Sequence, residues 1–149
     1  MNLSDMLQEF TAQILDDPLL SGSQQEEKMI QVLDLCHFID IYKQSLIIVD
    51  YAHKINIVEE DGVRKGVYFC DLLYNTRYCF DSWYYKQDNL KEIRSQLKTK
   101  ELWFVIVEEN LSAGDLKASK EFVQKNNVGG LYDRIFYFNF SQSTIKSIK

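Results

Sequence analysis

Apolar residues recur along this chain in two periods, and the change from one to the other divides it. Near the start, Met6, Leu7, Phe10, Ile14 and Leu15 fall at helical spacing and predict a helix over 4–16. Asp17-Pro18 ends that helix, because the residue before a proline is driven out of the helical region. After a linker at 19–22, Ser23 with Glu26 three residues on has the spacing of a capping box. It predicts a second helix to about Tyr42, with Met29, Ile30, Leu33, Cys36, His37 and Ile41 on a broad buried face. Residues 1–22 read as a peripheral helix and linker within a single domain spanning 1–149.

From Ser45-Leu-Ile-Ile-Val49 onward the pattern turns to strands. Two runs, 54–60 and 63–70, flank Asp61-Gly62, a strong signal for a two-residue hairpin turn. That register sets Ile55 and Ile57 on one face with Tyr68 and Gly66. Residues 76–85 read as a third strand, and Asp88 as the cap of a helix carrying Leu90, Ile93 and Leu97. The clearest segment follows. Glu101-Leu-Trp-Phe-Val-Ile-Val-Glu108 is a buried-strand run, 111–127 a helix with capping signals at Ser112 and Asp115, and Arg134-Ile-Phe-Tyr-Phe-Asn-Phe140 a further strand. Two strands joined by a helix are parallel neighbours, whereas strands joined by turns are antiparallel. The expected fold is therefore α/β, bordering on α+β. It has a mixed sheet of about five strands, with an antiparallel three-strand front, a parallel βαβ back and helices on both faces. The polar tail, 141–149, reads as frayed.

Composition narrows the function classes. A chain of 149 residues, 46% apolar, can bury a core without disulfides or a structural metal. Its net charge of −5 disfavours general binding to a phosphate backbone, which needs clustered Lys and Arg. Three cysteines without a CxxC spacing, and a start with neither a basic nor an apolar leader segment, predict reduced thiols and a cytoplasmic location. No apolar run approaches the roughly 20 residues that a membrane span requires. With only two histidines in the chain, a His-based zinc site is not expected, and no cofactor is.

The order helix, three turn-connected strands, helix, strand, helix, strand resembles the restriction-endonuclease-like fold of the PD-(D/E)XK nuclease superfamily. The resemblance runs from Ser23 to Phe140 and is one of element order. It implies Mg²⁺ held by an Asp near the second strand and an Asp or Glu on the third. A Lys two residues later would share the acid's face, because strand side chains alternate. On this chain those roles would fall to Asp71, Asp81 and Lys86, with Glu26 or Glu27 as a further acid. The residue two after Asp81 is Trp83, however, and Lys86 has the opposite parity.

Other candidate groups are weighed against plainer explanations. Glu108 and Glu109 stand at the carboxyl end of a parallel strand, where open α/β sheets bind ligands, although solvated strand ends are often acidic for no such reason. Trp83-Tyr84-Tyr85 belongs to a dense aromatic stretch; core packing is the default, and a recognition surface the second choice. No GxGxxG, GxxxxGK[ST] or GxSxG motif occurs. Three readings follow. The favoured one is a non-catalytic protein-binding module: an inhibitor, immunity-type or accessory factor acting on a protein partner, with a homodimer open and nucleic acid not favoured. A divergent Mg²⁺-dependent nuclease is the alternative. A small-ligand sensor using the 108–114 strand end ranks third.

Overall fold

The computed structural model describes residues 3–43, 46–52, 55–70, 82–108 and 116–149. The chain resolves into two compact units, 1–44 and 45–149.

The first unit is a pair of helices, α1 (Leu3–Leu15) and α2 (Gly22–Tyr42). The capping box that starts α2 sits two residues earlier than the sequence pattern suggested. Ser21 is the N-cap; its hydroxyl accepts from the Gln24 backbone N–H, and the Gln24 side chain accepts from the Ser21 N–H at 2.9 Å. Ser23-Glu26 has the same spacing, but Gly22 already has helical geometry, so Ser21 is the last extended residue and takes the cap. Val32, Leu35, Cys36, Phe38 and Ile39 of α2 are buried.

The second unit is a six-stranded mixed sheet in the order β1-β2-β3-β4-β5-β6. Its strands are β1 (Ile47–Ala52), β2 (Ile55–Glu60), β3 (Val63–Cys70), β4 (Glu101–Glu108), β5 (Arg134–Asn139) and β6 (Thr144–Ser147). The first three pair antiparallel, β3–β4 and β4–β5 pair parallel, and β6 returns antiparallel on β5. At the β2–β3 turn, Asp61 and Gly62 both take positive φ (51° and 78°), as a two-residue hairpin with right-handed strand twist requires. The pairing is Ile55 with Tyr68 and Ile57 with Gly66, as the sequence register predicted.

The central strand β4 is buried from Leu102 to Glu108, so both of its faces are covered and its residues need not alternate with polar ones. On one face Tyr68, Leu102, Phe104 and Ile135 pack with Leu90 and Ile93 of α3 (Gln87–Leu97) and with Val128 of α5 (Val128–Leu131). Partly buried Leu116, Phe122 and Val123 of α4 (Leu116–Lys125) join them. The Asp133 carboxylate ties this layer to the sheet: it accepts from the Leu102 N–H at 2.7 Å and pairs with Arg94 at 2.7 Å.

Three expectations are corrected. Residues 82–85 form a 3-10 turn where a strand was expected, because their rings tuck beneath the sheet instead of alternating across it. Asp88 does not cap α3: the N-cap is Lys86, without a side-chain bond, and Asp88 lies in the first turn, where a negative charge favours the helix dipole. The tail is ordered as β6 because strand pairing runs through the backbone and needs no apolar run. The Lys149 ammonium closes that end by donating to the Gly129 and Tyr132 carbonyls at 2.6 and 2.9 Å. No helix among the described residues is long and apolar enough to cross a membrane.

Candidate functional site

Asp71, Asp81 and Glu109 lie outside the described residues, as does the 111–115 segment. Lys86 is exposed at the start of α3. Glu26 and Glu27 are exposed on the first turns of α2. Among the described residues, no three His, Cys, Asp or Glu side chains gather as a metal site.

The strand that occupies the third turn-connected position among the described residues is β3, Val-Arg-Lys-Gly-Val-Tyr-Phe-Cys, and it contains neither Asp nor Glu.

Trp83, Tyr84 and Tyr85 are committed inward to different degrees. Tyr84 is buried and stacks on Tyr68 at 4.5 Å, while Trp83 meets Tyr84 edge-on at 4.9 Å and stays half-buried. Tyr132 donates its hydroxyl to the Tyr84 carbonyl at 2.8 Å, and the Asn89 amide donates to the Trp83 carbonyl at 3.0 Å, so the two middle residues of the turn are each tied down. Tyr85 packs edge-on against Phe104 and Phe122, with its hydroxyl 3.5 Å from the Cys70 sulfur. Burial, followed by the nearby Cys70, pushes the Tyr85 hydroxyl far above its ordinary range, so it acts as a neutral hydrogen-bonding group.

Glu108 ends β4 beside Asn139 of β5, its partner in the parallel register. Both are buried, at 3% and 1% exposure, unlike the solvated strand end that the sequence suggested. The Asn139 side-chain oxygen Oδ1 accepts from the Gln142 N–H at 3.0 Å, which uses this polar position to turn the chain toward β6.

The helical unit carries a feature the sequence reading missed. An open groove of about 580 Å³ runs between α1 and α2, lined by Leu7, Leu15, Met29, Ile30 and Leu33, with Glu26 among its walls. The signal was present in the sequence. Leu7 and Leu15 lie on either side of Thr11 at four-residue spacing, beside the stripe of Met6, Phe10 and Ile14, so α1 carries a second set of apolar residues next to the row in which Met6 and Ile14 are buried. In α2 apolar residues occur on all sides, a pattern that calls for cover on all sides. Leu15 is 55% exposed, and Leu19 in the following turn is 88% exposed. Charge is unevenly distributed as well: residues 1–44 hold eight acidic and two basic side chains, net −6, which leaves +1 on 45–149 of the whole chain's −5.

Cys36, deep in α2, has its thiol pushed up to about 11 by burial. The unfolded thiol ionises first, near 9.0, so the stability this group contributes is present below that pH and is lost as pH rises toward 11. In mass-resolved alkylation at about pH 8, Cys36 should stay unmodified in the folded chain and react once urea unfolds it. Rapid labelling of the native chain would show that the site is open.

No family model matches the chain, and no curated protein matches it. Among solved structures, an XisH family protein from Nostoc punctiforme PCC 73102 is similar, with 16% identity over 70% of this chain and 81% of that one, at a TM-score of 0.39.

Proposed function

We propose that this protein is a non-catalytic protein-binding module, an inhibitor, immunity-type or accessory factor, built on a frame of the restriction-endonuclease-like kind. The observation that carries the reading is the open apolar groove on the acidic helical unit, with Leu15 and Leu19 exposed beside it. Exposed apolar surface of this kind on a charged background is a common mark of a protein-interaction site. The non-catalytic part is supported by Trp83, which stands two residues after Asp81, where the resemblance in element order would place a lysine. The half-exposed ring of Trp83 is a lesser contact candidate, because the same residue also anchors the 3-10 turn.

The resemblance in element order makes cleavage the reading to test against. Incubated with plasmid and single-stranded oligonucleotides in Mg²⁺ or Mn²⁺, the protein should leave both intact. Cleavage that disappears in Asp81→Ala would replace the binding reading with the nuclease one. Cleavage that persists in that variant would mark a contaminant.

A further inference from the structure

We infer that the groove between α1 and α2 receives a basic amphipathic helix of a protein partner; this rests on the protein-binding reading and specifies its partner. Three observations converge on that occupant. The groove has two walls formed by helices, with Leu7 and Leu15 on one and Met29, Ile30 and Leu33 on the other. A trough between two helices accepts a third helix through its own apolar ridge, with anchors at i, i+3 or i+4, and i+7. Its length is set by α1: 13 residues at 1.5 Å each span about 20 Å, which matches a partner helix of about 14 residues.

Charge selects the sign of the partner's polar face. Glu26 forms part of the wall, Glu9 and Glu27 are exposed on the same two helices and Asp16 just after α1, within a segment of net charge −6. Lys and Arg flanking an apolar stripe would meet this field favourably, whereas an acidic helix would be repelled. The basic residues would also speed encounter and make it salt-sensitive.

The test uses the full chain and two synthetic peptides of about 14 residues, both with Leu at i, i+3, i+4 and i+7; one carries Lys at every other position and the other Glu. Fluorescence anisotropy should show saturable binding of the Leu/Lys peptide and at least tenfold weaker binding of the Leu/Glu peptide. Leu15→Asp should weaken the Leu/Lys complex about tenfold or more, since it places a charge in the apolar trough. Glu26→Lys should weaken it several-fold and narrow the gap between the peptides. Both positions are exposed, so unchanged circular dichroism is expected for both variants and keeps the comparison interpretable.

Equal binding of the two peptides, or binding that ignores both substitutions, overturns the inference. So does self-association that Leu15→Asp abolishes and that excludes the peptide, which would make a second copy the occupant. Failure here is separable from failure of the underlying reading. A native partner retained equally by the wild-type and Leu15→Asp chains removes the groove and leaves the binding module. A chain that holds neither peptide nor partner removes both.

Discussion

Phe104→Ala should cost the sheet unit about 4 kcal/mol, the range in which buried Phe→Ala substitutions fall when the surroundings cannot close over the gap. Phe104 has no exposed surface and lies at the centre of β4, so solvent cannot fill the vacated space. Its ring meets Tyr132 at 5.1 Å, Tyr68 at 5.7 Å, Tyr85 at 5.9 Å and Phe122 at 6.4 Å. Those contacts join β3, the 3-10 turn, α4 and the residue that follows α5, so a single truncation loosens four neighbours at once. For a domain with a total stability of about 5–15 kcal/mol, the loss is a large fraction. Both tryptophans, Trp83 and Trp103, belong to the sheet unit, so urea unfolding followed by tryptophan fluorescence reports from within that unit. A loss below about 1.5 kcal/mol would mean that the aromatic layer repacks freely and that the close-packed description is wrong.

Gly66→Val sets two effects of opposite sign against each other. Valine suits a strand better than glycine, by up to about 1 kcal/mol, and the backbone at Gly66 is ordinary extended strand. On propensity alone the substitution stabilises. A Cβ at this position, however, would come within 2.7 Å of Leu102 Cδ2 and 2.9 Å of Ile55 Cγ2. The Leu102 methyl ends a flexible side chain and the Ile55 methyl is fixed to its Cβ, and both residues are fully buried and so have nowhere to swing. Overpacking of this kind costs about 1–3 kcal/mol for a modest excess, and valine adds two further methyl groups. The expected net result is a loss of about 2 kcal/mol or more, read in the same urea titration. Leu102→Ala in the same chain should recover part of that loss, because it opens the volume that the valine needs. A neutral or stabilised Gly66→Val would show that β2, β3 and β4 are less closely layered than these distances state.

Much of this was legible before the fold was seen, and the parts that were share one property: the signal was local. Asp61-Gly62 needs positive φ at two successive residues, and few residue pairs supply that, so the β2–β3 hairpin and its register could be read directly. The run from Glu101 to Glu108 is too uniformly apolar for a strand with a wet face, which marked it as a strand covered on both sides. The helix between that strand and 134–140 then required the two to lie parallel.

The misreadings arose where the deciding contact is distant in sequence. Alternation around 82–85 looked like a strand, but Tyr84 finds its partners in Tyr68 and in the hydroxyl of Tyr132, 48 residues away, and those contacts bend the segment into a 3-10 turn. The tail shows no strand pattern because an edge strand is held by its neighbour's backbone; Thr144 to Ser147 pair with β5 whatever their side chains prefer. The two apolar sets of α1 were present in the sequence, and only the packing of α1 against α2 decides which set is buried and which lines an open groove. The sequence by itself thus determined the strands from β1 to β5, the hairpin and the parallel unit, because backbone geometry and hydrophobic period act over a few residues. The tertiary structure alone decided which aromatic residues became core and where apolar surface was left open, because burial depends on segments that meet only after the chain has folded.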